Sequence, residues 1–260
     1  LMLLKIINDL KPDYIIAAYD LPKPTYRHIA YEDYKAGRKE ADEELISQIK
    51  RSRDLFKAFN IPVYDKEGFE ADDILGAIVE QVKDKKDIDV IIASGDMDTL
   101  QLVNKKKVRV YTLRKGITDT IIYDEEGVQE RFGFGPTLLP DYKGLRGDPS
   151  DNIIGIAGIG EKTATTLIEK FGTIENMYKI LKKGKKMFEE EGIKPRIITL
   201  LEEGEEETEA ESTPNQEDET DTGQEKSVED ENGDEYQWEE LLDNSDDLYG
   251  YKARVDQSDD

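Results

Sequence analysis

Two short apolar runs that end at carboxylates constrain this chain most. They are Asp13-Tyr-Ile-Ile-Ala-Ala-Tyr-Asp20 and Ile88-Asp-Val-Ile-Ile-Ala93, the second running into Ser94-Gly-Asp-Met-Asp98. Near-continuous apolar strands are covered on both faces, as in parallel sheets flanked by helices. Helical spacing fills the interval between them. Leu45, Ile46, Ile49, Leu55, Phe56 and Phe59 share one face of 43–60, and Ile74, Leu75, Ile78, Val79 and Val82 one face of 74–83. Further short strands are predicted at 61–64, 108–113 and 120–123. The alternation implies an α/β fold with a mostly parallel central sheet. Residues 1–10 read as a helix buried against it. From Glu125 the pattern turns helical, with Ala164, Leu167, Ile168 and Phe171 facing inward and Ile193 to Leu201 closing the folded part.

Composition narrows the chemistry. The chain has no cysteine and a single histidine, His28, so thiolate and His-rich metal sites are excluded. Any metal must be held by oxygen, which points to Mg2+ or Mn2+. The net charge of -24 looks hostile to nucleic acid. However, residues 202–260 carry 25 acidic and three basic residues, leaving residues 1–201 close to neutral. The tail reads as disordered, with one apolar island at Tyr236, Trp238, Leu241 and Leu242 that would suit a short helix in a protein partner's groove. The apolar start is too short to span a membrane and lacks a basic leader, so a cytoplasmic monomer with no membrane association is expected.

Acidic residues recur where strands end and helices open. They are Asp20; Glu70, Asp72 and Asp73; Asp96 and Asp98; Asp148 and Asp151. Strand carboxyl ends line the ligand crevice of open α/β sheets. Clustered carboxylates repel one another, and a divalent ion relieves that repulsion. Two such ions suit in-line phosphate displacement. Seven residues after Asp148 begins a glycine-spaced loop, Gly155, Gly158 and Gly160, which runs into Lys162 and Thr163 at a helix start. Bare amides at a helix N-terminus suit a phosphate. Residues 22–38 mix cations and aromatics, notably Arg27, Tyr34, Lys35 and Arg38. Two readings fit that stretch: a surface that stacks unpaired bases and grips phosphates, or a solvated helix surface whose tyrosines pack inward.

Taken in order, these segments resemble the 5′ nuclease family, specifically the 5′–3′ exonuclease domain of bacterial DNA polymerase I. The matching motifs are A-Y-D at 18–20, Y-R-H-I-A-Y-E-D-Y-K-A-G-R at 26–38, G-F-E-A-D-D at 68–73, S-G-D-M-D at 94–98, G-D-P-S-D-N at 147–152 and G-I-A-G-I-G-E-K-T-A at 155–164. The resemblance implies a PIN-like 5′ nuclease fold over 1–123, with an arch or clamp at about 22–42. It also implies a helix-three-turn-helix DNA-binding subdomain over 124–201, ahead of the acidic tail at 202–260. It implies a first metal held by Asp20, Glu70 and Asp72 with Asp73 close by, Asp96 between two ions, and a second metal held by Asp98, Asp148 and Asp151. Lys35 and Arg38 would act at the scissile phosphate, and Tyr34 and Arg27 would help grip a single-stranded 5′ end. The loop from Gly155 to Lys162, with Thr163, would hold duplex DNA, around K+ in this family.

The implied activity is metal-dependent 5′–3′ exonuclease and flap endonuclease action on DNA in replication and repair. Family members begin with an aspartate-bearing strand, so Leu1 is expected to fall inside the helix after it. That expectation keeps open a second reading, a flap- or duplex-binding module with an impaired first metal site. An RNA-cutting nuclease of the related PIN-like fold is a third.

Overall fold

The computed structural model describes residues 1–39, 41–116 and 118–211, with the backbone of two short strands at 228–229 and 235–236. The rest of the tail, including Trp238, lies outside the described residues. The first half runs α1 (Met2–Leu10), β1 (Ala17–Ala18), α2 (Tyr26–Ala30), α3 (Glu43–Ala58), β2 (Val63–Tyr64), α4 (Ala71–Val82) and β3 (Val90–Ala93). A 3-10 turn at Met97–Leu102 leads to β4 (Val108–Lys115) and β5 (Asp119–Tyr123). Six helices follow: α5 (Glu125–Phe132), α6 (Leu139–Arg146), α7 (Glu161–Phe171), α8 (Ile174–Leu181), α9 (Lys186–Glu190) and α10 (Pro195–Glu211).

The expected parallel pairing is present in two separate pieces. β1 pairs with β2 in parallel, placing Ala17 opposite Val63. β3 pairs with β4 in parallel, placing Ile92 opposite Val110, and β5 returns antiparallel to β4. The run at 13–20 makes a shorter strand than its apolar length suggests, because only Ala17 and Ala18 meet a partner. The two parallel pairings are thus set just ahead of Asp20 and of Asp96 and Asp98.

Apolar burial is concentrated downstream of Val79. One continuous core joins Ile92, Leu100, Val108 and Val110 of the sheet region to Leu145, Leu167, Ile168, Met177, Phe188, Ile198 and Leu201 of the helices. Phe171 stacks on Phe188 at 4.1 Å between ring centres. Asp141 of α6 accepts a 2.8 Å bond from the Ile174 amide and so caps α8 across the bundle. By contrast, α1 and α3 contain no buried residue. Leu45, Ile46 and Ile49 are 50, 40 and 45% exposed, so the N-terminal part of the α3 stripe stays uncovered, while Phe56 meets the Tyr19 ring edge-on at 6.0 Å. The expected burial of residues 1–10 is likewise corrected. A polar contact ties that helix to β4, the Tyr111 hydroxyl donating to Asp9 at 3.0 Å, while Asp9 also pairs with Lys5 within the helix at 2.5 Å.

The closing helix also departs from expectation. Acid-rich composition predicts disorder from Glu202, yet α10 continues to Glu211. Glutamate is a good helix former, and the turns anchored by Ile198 and Leu201 remove the nucleation cost for the residues that follow. Phe188 is fully buried against Phe171. Replacing Phe188 by Ala should cost about 3–5 kcal/mol of folding stability, read as a lower urea midpoint with an unchanged slope.

Candidate active site

Four turns deliver the carboxylates, and each turn is held by the acids themselves. Asp20, just past β1, accepts the Ala71 amide at 2.7 Å and so sits on the exposed N-terminus of α4. Asp73 Oδ2 accepts the Glu70 amide at 2.8 Å, closing the first turn of that helix. Asp96 Oδ1 accepts the Asp98 amide at 2.9 Å, and the Asp96 amide is held by Ser94 Oγ at 3.0 Å. Asp148 Oδ1 accepts both the amide and the hydroxyl of Ser150, at 3.0 and 2.6 Å. Short polar turns of this kind fix the side chains that make them.

Glycine joins the last turn to the loop that follows. The Asp148 amide donates to Ile153 O at 2.7 Å and the Ile153 amide donates back at 2.9 Å. Gly147 and Gly155 lie face to face at φ of 78° and 66°, and a methyl group on either would collide with the other segment's backbone. Only glycine satisfies both the left-handed φ and the close approach.

The acids then crowd into one electrostatic field. Burial pushes the Asp72 carboxyl up to about 6, and Asp96, Asp20, Asp98 and Glu70 add to the shift through their charge. Burial also raises Asp98, against the pull of Lys143. Asp148 is only 7% exposed, and burial opposes its charge, yet Lys143 and Ser150 hold it down at about 2. Oxygens of Asp98, Asp148 and Asp151 all lie within 4.8 Å of one another. Every donor in that set is a hard carboxylate oxygen, the chemistry of a divalent-cation site.

Three protein cations and a tyrosine meet this field. Lys143 bridges Asp98 and Asp148, the latter at 2.6 Å. Lys35 pairs with Glu70 at 2.6 Å, and Arg38 with Asp151 at 2.7 Å. Tyr34 is buried, and its hydroxyl donates to Glu70 at 3.2 Å and Asp151 at 3.3 Å, so one side chain spans two of the acidic turns. Burial and those two negative charges hold the phenol well above its usual range. The turn carrying these groups is docked by backbone, with the Lys35 amide on Asp151 O at 3.0 Å and the Asn152 amide side chain on Asp33 O at 2.8 Å.

The structure thus brings together Asp20, Glu70, Asp72, Asp96, Asp98, Asp148 and Asp151, with Tyr34, Lys35 and Arg38 upon them. Asp73 and Arg27 lie at the edge of the same group. Their side chains form a two-point ion pair at 2.7 and 2.6 Å, Asp73 also closes the α4 turn, and Arg27 lies 3.9 Å from Glu70. Gly158, Gly160, Lys162 and Thr163 sit at the start of α7, with Gly160 as its N-cap and the Lys162 side chain exposed. Lys143 was not foreseen. A lysine in the last turn of α6 reads from sequence as a complement to the helix dipole.

Comparison with known proteins agrees with this geometry. A family model described as the 5′-3′ exonuclease N-terminal resolvase-like domain matches residues 1–133. A second, the 5′-3′ exonuclease C-terminal SAM fold, matches residues 134–212. The chain belongs to the 5′-3′ exonuclease family. DNA polymerase I of Bacillus caldotenax is 43% identical over 177 residues, which are 68% of this chain and 20% of that protein. The chain therefore spans about a fifth of the length of that curated relative. A structure of bacteriophage T5 5′-exonuclease with bound divalent metal ions (zinc) superposes with a TM-score of 0.62 at 24% identity, covering 78% of this chain and 74% of that one. The T5 flap endonuclease in a pseudo-enzyme-product complex with DNA and metal ions gives 0.60 at 23%, covering 76% and 74%. These likenesses establish a shared 5′ nuclease fold. None of the described helices is long and apolar enough to cross a membrane.

The perturbed acids of the family's acidic centre set a pH dependence. The folded chain holds the Asp72 proton to about 6, against an ordinary 3.8, and Asp98 shifts the same way. Ionising them therefore destabilises the fold progressively as pH rises from about 4 through 6. Asp148 works oppositely, but its contribution is complete above its ordinary value and is lost only as pH falls toward 2. In chelator, the urea midpoint should fall between pH 5 and pH 7, and a divalent ion at pH 7 should restore it. A midpoint that rises over that interval contradicts the account. Substituting Asp73 by Asn should lower stability while leaving divalent-ion affinity within about 2-fold, since its oxygens serve Arg27 and the α4 turn, a split that calorimetric titration would read.

Proposed function

We propose that this member of the family hydrolyses DNA phosphodiesters at 5′ ends and 5′ flaps, using two divalent ions, Mg2+ or Mn2+. The observation that carries the reading is the Lys143 ammonium held between Asp98 and Asp148, with an Asp151 oxygen within 4.8 Å of both acids. A site that draws a cation from its own chain in this way is built to hold one. Asp98, Asp148 and Asp151 would hold one ion, Asp20, Glu70 and Asp72 the other, with Asp96 between them. Bound there, such ions supply a more acidic water and stabilise the leaving oxygen.

The remaining work falls to the chain's own groups. Lys35 pairs with Glu70 and Arg38 with Asp151. Once those carboxylates are otherwise neutralised, both cations are free to meet the scissile phosphate, where charge develops. Tyr34, kept protonated, orients Glu70 and Asp151 together. The Gly155–Gly160 loop, with Lys162 and Thr163, would hold duplex backbone, and its exposed carbonyls suit K+. The chain would act as a monomer in replication and repair, with Trp238 and its neighbours available to a protein partner.

Full-length protein with Mg2+ should cut a 5′-flap substrate, and Asp148→Asn should abolish cutting while flap binding persists. Lys35→Ala should slow it by roughly 100-fold, the size expected for one lost donor at developing charge. Salt-dependent flap binding with no turnover in Mg2+ or Mn2+ would favour the non-cutting module instead. Faster cutting of matched RNA flaps would favour a ribonuclease.

A further inference from the structure

Helix α3 carries an apolar stripe that is left open over much of its length. Every residue from Glu43 to Lys50 is exposed, Leu45, Ile46 and Ile49 among them. Farther along, Leu55 and Phe59 are 48 and 43% exposed, while Phe56 turns against Tyr19. Lys50 and Lys57, about two turns apart, line one edge of the stripe. Arg53 on that edge is committed to Asp65 and the Tyr19 ring. Neither lysine forms an ion pair among the described residues.

A helix draws most of its stability from covering such a face, so the stripe calls for a short apolar surface. The two unpaired lysines add a condition, negative charge beside it. One segment of this chain meets both. Residues 212–260 hold 18 acidic and three basic residues, and within them lies the apolar island of Tyr236, Trp238, Leu241 and Leu242. At helical spacing Trp238, Leu241 and Leu242 share one face and span four residue steps, as Leu45, Ile46 and Ile49 do. Glu239, Glu240 and Asp243 flank that face. Reach is not limiting. Tyr236 pairs with Val228, which keeps Trp238 close to that point. About 17 residues join Glu211 to Val228, roughly 55 Å of extended chain. A folded body of about 200 residues has a radius of gyration of only ~16 Å.

We propose that residues 238–242 dock their apolar face on the exposed stripe of α3 in the same chain, with the adjoining acids against Lys50 and Lys57. The proposal deepens the reading of the Trp238 segment as a partner-binding one, and it does not depend on DNA cleavage. Trp238 is the single tryptophan, so its fluorescence reports the contact alone. In full-length protein with chelator and no DNA, its emission should be blue-shifted from that of tryptophan in water. It should also be screened from the neutral quencher acrylamide, to the same degree at every protein concentration. Ile49→Glu, a change at an exposed position, should raise the quenching constant by about 3-fold or more, since a docked group is reached only when its contact opens. Lys50→Glu combined with Lys57→Glu should act in the same direction, most strongly at low salt. Water-like emission from the unaltered chain overturns the proposal and leaves Trp238 to an outside protein. Quenching unmoved by Ile49→Glu overturns it too, as does screening that fades on dilution, the mark of a second copy. Flap cleavage in Mg2+ is a separate measurement, so failure here is distinguishable from failure of the nuclease reading.

Discussion

Repulsion among like charges is the constraint on which this architecture turns. Burial, with the charges of Asp96, Asp20, Asp98 and Glu70 added to it, keeps the Asp72 carboxyl protonated to about 6. A chain does not hold such a group for its own stability, because unpaired charge withdrawn from water is costly. The surrounding structure supplies what the acids need to coexist. Helix α4 offers its amide end to Asp20, Ser150 bonds Asp148, and three cations come from two segments far apart in sequence, Lys35 with Arg38 and Lys143. Those cations offset part of the negative charge that the acidic turns bring together.

Much of this was legible in the residues, for reasons that differ by element. The acids that end strands or open helices stand out because a carboxylate there has few structural duties, and the fold brings seven of the eight into one electrostatic field. Asp73 carries a structural duty. Its spacing from Glu70 matches a ligand pair, but the same three-residue step lets it close its own helix turn and take Arg27. Sequence periodicity cannot distinguish those duties. Lys143 escaped notice because its value is set by Asp98, a residue 45 positions away that only the fold brings near. Of the two readings open for Tyr34, the inward-packing one matches its burial, but spacing does not reveal that its hydroxyl lies between two acidic turns.

The fold was readable to a similar extent. Helical faces that meet the downstream core, such as Ala164, Leu167, Ile168 and Phe171, lie inward as their spacing implies. The stripe on α3 has the same kind of spacing and stays exposed, because periodicity reports a face seeking cover and not whether cover is present. Stability is consequently uneven. The helical half is packed as one body, whereas the segments carrying Asp20, Tyr34 and Lys35 are held mainly by ion pairs and hydrogen bonds. Elements held in that way open more readily than a packed core, and they are the ones that would have to admit a strand.

The meeting of Gly147 with Gly155 has a geometric consequence. Between the turn that presents Asp148 and the loop that leads to α7 there is no side chain at all, only main chain against main chain. Side chains can swing between rotamers, but two backbones in contact cannot slide without breaking the bonds between Asp148 and Ile153. The offset between the turn that presents Asp148 and the N-terminus of α7 is therefore a fixed length, written in peptide units. The molecule carries a ruler whose graduation no rotamer can alter.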